Sequence, residues 1–198
     1  MSMTQPPIRD AASVVLLRDA HSTPKVLMGQ RGKNAAFMPD KFVFPGGAVD
    51  PEDASVALPG APSPKCLARL GGHGSALLAA ALRETWEETG LTLKQCNGLI
   101  YFFRAITPPA RPRRFDARFF LADADNMIET DLDDFSQASD ELRHLHWVPL
   151  TEARSLNLPF ITEVVLAEVD ALARTMEAPS SVPFFDNSSG TSRFLRIE

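Results

Sequence analysis

"RETWEETG", residues 83–90, places three glutamates, Glu84, Glu87 and Glu88, just ahead of a glycine. The run before it predicts a helix from about Ser75 to Thr89, with Gly90 as its stop. At about 100° per residue, Leu78, Leu82, Thr85, Trp86 and Thr89 share one broad side that can face a core. The glutamates fall opposite, at i, i+3 and i+4, where side chains are neighbours. Arg83 flanks them and can pair with Glu87. A solvated acidic face is the ordinary reading of such a helix. Two features oppose it. Each negative charge in the last turns of a helix costs roughly 0.3–1 kcal/mol against the dipole, and the three also repel one another with a single arginine to offset them. A divalent cation would remove both difficulties. Clustered carboxylates are hard oxygen ligands suited to Mg²⁺ or Mn²⁺, and magnesium commonly bridges protein carboxylates and substrate phosphates.

Outward from this helix the chain alternates irregularly. Residues 13–18, "SVVLLR", and 25–31, "KVLMGQR", read as paired strands around a turn at Pro24. "KFVFPGG" (41–47) reads as a strand entering a tight loop. Residues 51–74, rich in Pro, Gly, Ala and Ser, read as irregular, with one helical turn near Leu67. Strands are expected at 98–106, 114–122 and 142–150, and a helix at 161–175. A Pro-rich link (107–113) and an acidic connection (123–141) join some of these, and the last twenty or so residues show no clear period. The pattern implies a mixed sheet with helices packed on it.

The whole chain sets bounds. Its 198 residues fit one domain, and 44% hydrophobic content suffices for a core. A net charge of −5 argues against a general nucleic-acid or membrane-surface binder. Cys66 and Cys96 form no metal-ligand pair by spacing and read as reduced thiols of a cytoplasmic protein. The start, "MSMTQPPIRD", has no signal pattern, and no apolar run approaches membrane-spanning length.

"RETWEETGL" resembles the second half of the Nudix box, and "PGGAVDPED" supplies the first half: Gly47, five residues, then Asp53 where the family has glutamate. Where the family has seven residues before the arginine, this chain has residues 54–82, so the resemblance includes an insertion at about 54–74. Thr85 also replaces an apolar residue. The strand pair before "PGG" and "HWVPLTEA" (146–153) are similar to Nudix domains over roughly residues 10–175, with 176–198 as an extension of the single domain. "FMPDKFVFPGG", the split box and "ITPPARPRRFDARFFLA" resemble the branch related to peroxisomal coenzyme A diphosphatases.

The resemblance implies an α+β fold, an α/β/α sandwich with a mixed β-sheet. It also implies metal-dependent hydrolysis of the pyrophosphate in a nucleoside diphosphate derivative. Coenzyme A or acyl-coenzyme A comes first; ADP-ribose, NADH or a dinucleotide is the alternative, and a catalytically silent nucleotide-sensing or partner-binding domain is the reading of another class. By the same resemblance Glu87 and Glu88 bind the metal, Glu84 is a ligand and candidate base, the Gly47 carbonyl is a further ligand, and Arg83 orients the carboxylates. Some Nudix enzymes take the base from a later loop, which makes Glu141 or Asp140 the alternative. Members often pair, so a homodimer is among the expectations.

Other side chains carry weaker signals. Arg114, Asp116 and Arg118 alternate on one strand face. They form either a paired charged layer or, through Arg114 or Arg118 with Arg111 and Arg113 nearby, a grip on substrate phosphates. Arg31 and Lys33 are further candidates for phosphate contact, set against a solvated reading. Phe37 and Phe44 read as core before base-stacking residues, Trp86 reads as core, and His144 and His146 receive no role.

Overall fold

The computed structural model describes residues 6–198. Residues 1–5, which begin the stretch read for a signal pattern, lie outside the described residues. In chain order the elements are β1 (Ile8–Arg18), β2 (Lys25–Arg31), β3 (Phe42–Val43), β4 (Gly46–Ala48), a 3-10 turn (Pro51–Ser55), α1 (Pro64–Leu70), a second 3-10 turn (Gly71–His73), α2 (Gly74–Thr89), β5 (Ile100–Ile106), β6 (Arg114–Asp123), α3 (Ala124–Met127), β7 (Leu142–Pro149), α4 (Leu150–Ala153), α5 (Phe160–Leu172), β8 (Val182–Asp186) and β9 (Arg193–Ile197).

The strands join in one mixed sheet of order β3-β2-β1-β6-β5-β8-β9, with β4 against β1 and β7 against β2. β1 runs through its middle, parallel to β6 from Ile8↔Arg114 to Leu17↔Asp123 and antiparallel to β2. Both faces of β1 are therefore covered, which is why "VVLL" is apolar without alternation. Ala12, Val14 and Leu16 pack with Leu77, Leu78 and Ala81 of α2 on one face. Val15 and Leu17 pack with Val165, Leu166 and Val169 of α5 on the other. This is a sheet between helical layers, as the sequence implied.

Two local expectations change, and the helical turn expected near Leu67 is found as α1. "KFVFPGG" is two short strands, not one: β3 pairs with β2, and β4 crosses to β1. Pro45 has no N–H to continue a ladder, and its carbonyl accepts from the Val14 N–H at 2.9 Å. Gly46 then takes φ +153, where a Cβ would collide with the backbone of Ala12 and Ser13. The insertion holds α1, with Ser63 accepting from the Cys66 N–H as its cap and Pro64 at its first position. The tail, which showed no period, adds β8 and β9 to the sheet beside β5.

Candidate active site

α2 delivers the glutamates because its start is buried and its end is fixed. Leu77, Leu78, Ala80 and Ala81 are buried against the sheet. Gly90 closes the helix in the left-handed conformation at φ 75, its N–H donating to the Trp86 carbonyl at 2.7 Å. The buried Thr85 hydroxyl donates back to the Ala81 carbonyl at 2.7 Å, so the polar residue in the apolar position of the box is satisfied. Past the helix, the Ser139 N–H donates to the Glu87 carbonyl at 2.8 Å. That bond hangs the loop carrying Asp140 and Glu141 on the last turn of α2.

Arg83 is the hub. Its Nε and Nη2 fork onto Asp53 Oδ1 and Oδ2 at 3.1 and 2.9 Å. Its Nη1 reaches Glu84 Oε1 at 2.8 Å and Glu87 Oε2 at 3.3 Å, and its Nη2 also donates to the Ala48 carbonyl at 3.0 Å. The bidentate bond to Asp53 above all, then the Glu84 contact, raises the Arg83 pKa further above its ordinary value. Asp53 is buried, and burial opposes its charge; Arg83 and the Asp50 N–H at 2.8 Å outweigh that and hold its carboxyl below the usual range. The two halves of the box thus meet across the insertion, and the shorter aspartate spans the gap.

The three glutamates are not equivalent. Glu88 is 2% exposed and accepts one bond, from the Gly46 N–H at 2.8 Å. Burial pushes its pKa up to about 8, with Glu84 and Glu141 adding repulsion and Arg31 offsetting part of it. Glu84 is raised as well, by burial first and then by Glu87 and Glu141, against the pull of Arg83. Its carboxylate lies over Gly47, where any Cβ would overlap it. The glycine is required there by close approach of a side chain.

Among the described residues no three acidic, imidazole or thiol groups converge as a ready-made metal cluster, and Glu84 and Glu87 are bonded to Arg83 instead. The donors nevertheless fit a divalent ion. Glu88 and Glu84 are desolvated carboxylates whose burial disfavours the charged form, and Gly47 lets the Glu84 carboxylate approach its backbone closely. Gly47, Glu84, Glu87 and Glu88 are accordingly the residues that could hold the metal.

A cleft of about 460 Å³ adjoins this group, lined by Arg31, Gly32, Lys33, Asn34, Asp140, Glu141 and Arg143 among others. It contains the Glu141 and Asp140 of the alternative base assignment and the Arg31 of the phosphate assignment. The Arg31 Nε is buried without a hydrogen-bond partner among the described residues. Arg143 received no role from the sequence; it stands one residue past a strand boundary with nothing local to mark it.

Arg114 and Arg118 are elsewhere. Neither lines the cleft, and both are buried in β6. Arg118 Nη1 pairs with Asp10 Oδ1 at 2.5 Å and Asp116 Oδ2 at 3.2 Å, while Arg104 forks onto Asp116 at 2.8 and 2.6 Å. Arg114 donates to the Thr107 and Asn187 carbonyls at 3.1 and 2.7 Å. Arg118 and Asp116 form a charged layer with Asp10 on β1 and Arg104 on β5, and Arg114 is held by carbonyls, which is the paired arrangement of the two that the sequence left open. Trp86, expected in the core, is instead 51% exposed, while β4 packs on α2 and the Ser139 N–H bonds its last turn. Phe44 is buried as expected, and Phe37 packs edge-on against Phe115 at 5.2 Å.

The profile of the NUDIX domain matches residues 7–169. A Caenorhabditis elegans protein whose name places it among nudix hydrolases is 29% identical over 174 residues, covering 71% of this chain and 51% of its own. The chain thus spans about half the length of that curated relative. A NUDIX hydrolase structure from Alicyclobacillus acidocaldarius superposes with a TM-score of 0.64 at 27% identity, covering 88% of this chain and 99% of that one. The NUDIX domain of Shewanella oneidensis NrtR, solved with ADP ribose, has a TM-score of 0.54 at 14% identity over 84% and 88% of the two chains, a likeness of fold. No helix among the described residues is long and apolar enough to cross a membrane.

Proposed function

The chain belongs to the NUDIX domain family, and from that premise we propose that it is a metal-dependent pyrophosphohydrolase of nucleoside diphosphate derivatives, with coenzyme A or acyl-coenzyme A as its substrate. The observation that carries the chemistry is the Arg83 hub, which holds Asp53, Glu84 and Glu87 in one place despite the insertion, beside the buried Glu88. A binding module has no use for carboxylates kept at that electrostatic disadvantage.

Mg²⁺ or Mn²⁺ held by Glu84, Glu87, Glu88 and the Gly47 carbonyl would polarise the phosphoryl group and lower the pKa of bound water. The chain's own groups do the rest. Arg83 orients Glu84 and Glu87 and keeps them from folding away from the site. Glu84, whose pKa is raised by burial, is placed to accept the proton of the attacking water. Glu141, on the loop fixed to α2 through Ser139, is the second candidate for that proton. Arg31, which lines the cleft, grips a phosphate oxygen of the diphosphate.

Coenzyme A is favoured over ADP-ribose, NADH and dinucleotides by the split box and the "FMPDKFVFPGG" stretch. The ADP ribose complex of the NrtR domain makes that compound the natural competitor. Incubating the protein with Mg²⁺ and each compound, with products identified by mass, tests the choice. Coenzyme A should yield adenosine 3′,5′-bisphosphate and a phosphopantetheine species. Turnover of ADP-ribose with coenzyme A untouched overturns the substrate, and no Mg²⁺-dependent turnover of any of them overturns the activity. Glu87→Gln and Glu88→Gln should each abolish turnover with the fold intact.

A further inference from the structure

Arg31, Lys33 and Arg143 line one cleft beside the carboxylates. None of the three side chains has a hydrogen bond or ion pair among the described residues. Arg9, Arg18, Arg83, Arg104, Arg118 and Arg193 are each held by an acidic side chain; the exposed Arg111, Arg113, Arg154 and Arg174 are not, so what sets Arg31, Lys33 and Arg143 apart is that they share one cleft. Asp140 and Glu141 share the cleft wall yet pair with none of the three. The charge of Glu141 instead acts on Glu84 and Glu88.

A diphosphate diester brings two negative charges, which divalent ions among the glutamates and Arg31 already answer. Lys33 and Arg143 are then surplus cations in an acidic protein, unpaired and facing the space where the substrate's remainder must lie. We propose that Lys33 and Arg143 form a subsite for a phosphomonoester that the substrate carries in addition to its diphosphate. Arginine supplies a planar fork for phosphate oxygens and lysine a mobile point charge. The subsite rests on the pyrophosphohydrolase reading. It selects within it for compounds of the coenzyme A class, which bear a 3′-phosphate, against ADP-ribose and NADH, which do not.

Titration calorimetry of the full chain with adenosine 3′,5′-bisphosphate and with adenosine 5′-monophosphate, with and without Mg²⁺, isolates that one group. The bisphosphate should bind about tenfold tighter or better to the wild type, the range of charge-assisted hydrogen bonds. The ratio of the two Kd values should fall several-fold in Lys33→Gln or Arg143→Gln and approach one in the double variant. Both residues are exposed, and circular dichroism confirms that the variants fold. A wild-type ratio near one, a ratio that survives the double substitution, or binding of neither nucleotide overturns the subsite. Failure to cleave any of the diphosphate compounds with the binding ratio intact instead removes the pyrophosphohydrolase reading and leaves the subsite standing.

Discussion

Replacing Glu88 by glutamine should make the metal-free protein more stable at neutral pH, although it destroys the site. Glu88 is 2% exposed with a single hydrogen bond, and its pKa is pushed from 4.5 to about 8. The folded chain therefore keeps a proton that the unfolded chain releases between those values. Stability from this group is complete below pH 4.5 and is lost as pH rises through about 8. Integrating that difference gives a penalty of roughly 3 kcal/mol at pH 7 and under about 1 kcal/mol at pH 5. Glutamine is the neutral isostere and keeps an acceptor for the Gly46 N–H, so Glu88→Gln recovers most of the penalty. At about 2.1 cal/mol/K per residue of unfolding entropy, the gain is a Tm higher by roughly 7 °C at pH 7. The assay is thermal melting of both proteins in EDTA from pH 5 to pH 8, then with saturating Mg²⁺. The gap should widen with pH in EDTA and narrow with Mg²⁺, which stabilises only the protein that binds it. A variant less stable than wild type at pH 8 in EDTA, or a gap that ignores pH, refutes the reasoning.

Three further outcomes follow from the same contacts. Gly47→Ala drives a methyl into the Glu84 carboxylate, so Mg²⁺-dependent turnover should fall about 100-fold with a stability loss of roughly 1–3 kcal/mol; unchanged turnover would show that Glu84 has room to move. Arg118→Ala removes the cation that Asp10 and Asp116 share, while Asp116 keeps Arg104 and Asp10 keeps His73, so it should cost about 1–3 kcal/mol, read as a lower Tm. A raised KM with unaltered melting supports the phosphate-grip assignment instead. Trp86→Ala removes an exposed ring and should change stability by less than about 0.5 kcal/mol, whereas a core role would appear as a large drop in chemical denaturation.

What could be read in advance depended on how local each signal was. α2 and its stop at Gly90 were legible because period, terminal glycine and charge agree within one segment. Arg114, Asp116 and Arg118 were correctly placed on one face of β6. Whether that face meets water depended on Asp10, which the parallel register sets directly beside Asp116, and on Arg104 across the other ladder. No sequence spacing carries that information. Trp86 failed for a related reason: helical periodicity counts apolar residues, but not the packing of β4 on α2 or the Ser139 bond to its last turn. α1 had a signal in Ser63-Pro64 that could have been used. The "VPFFD" and "RFLRI" runs of β8 and β9 are too short for periodicity to separate from coil.

The insertion inside the box is the feature most at odds with the proposed site, and its energetics show how the fold accommodates it. Lengthening a closed loop about fourfold costs roughly 1 kcal/mol in chain entropy. Cys66 and Leu70 of α1 join the core that backs α2, and burying one leucine returns roughly 1.5–3 kcal/mol. Arg69 ties α1 to the Pro179 and Ser180 carbonyls, and His73 meets Asp10 at 2.9 Å. The added segment is therefore anchored on its own account and exerts no pull on the ends it joins. Those ends are fixed independently: Asp53 by the Asp50 N–H and Arg83, and α2 by its apolar stripe on the sheet. The Asp53–Arg83 fork can then set the carboxylates whatever the chain does between them. Cutting that fork with Asp53→Ala should impair the site more than any shortening of residues 56–62.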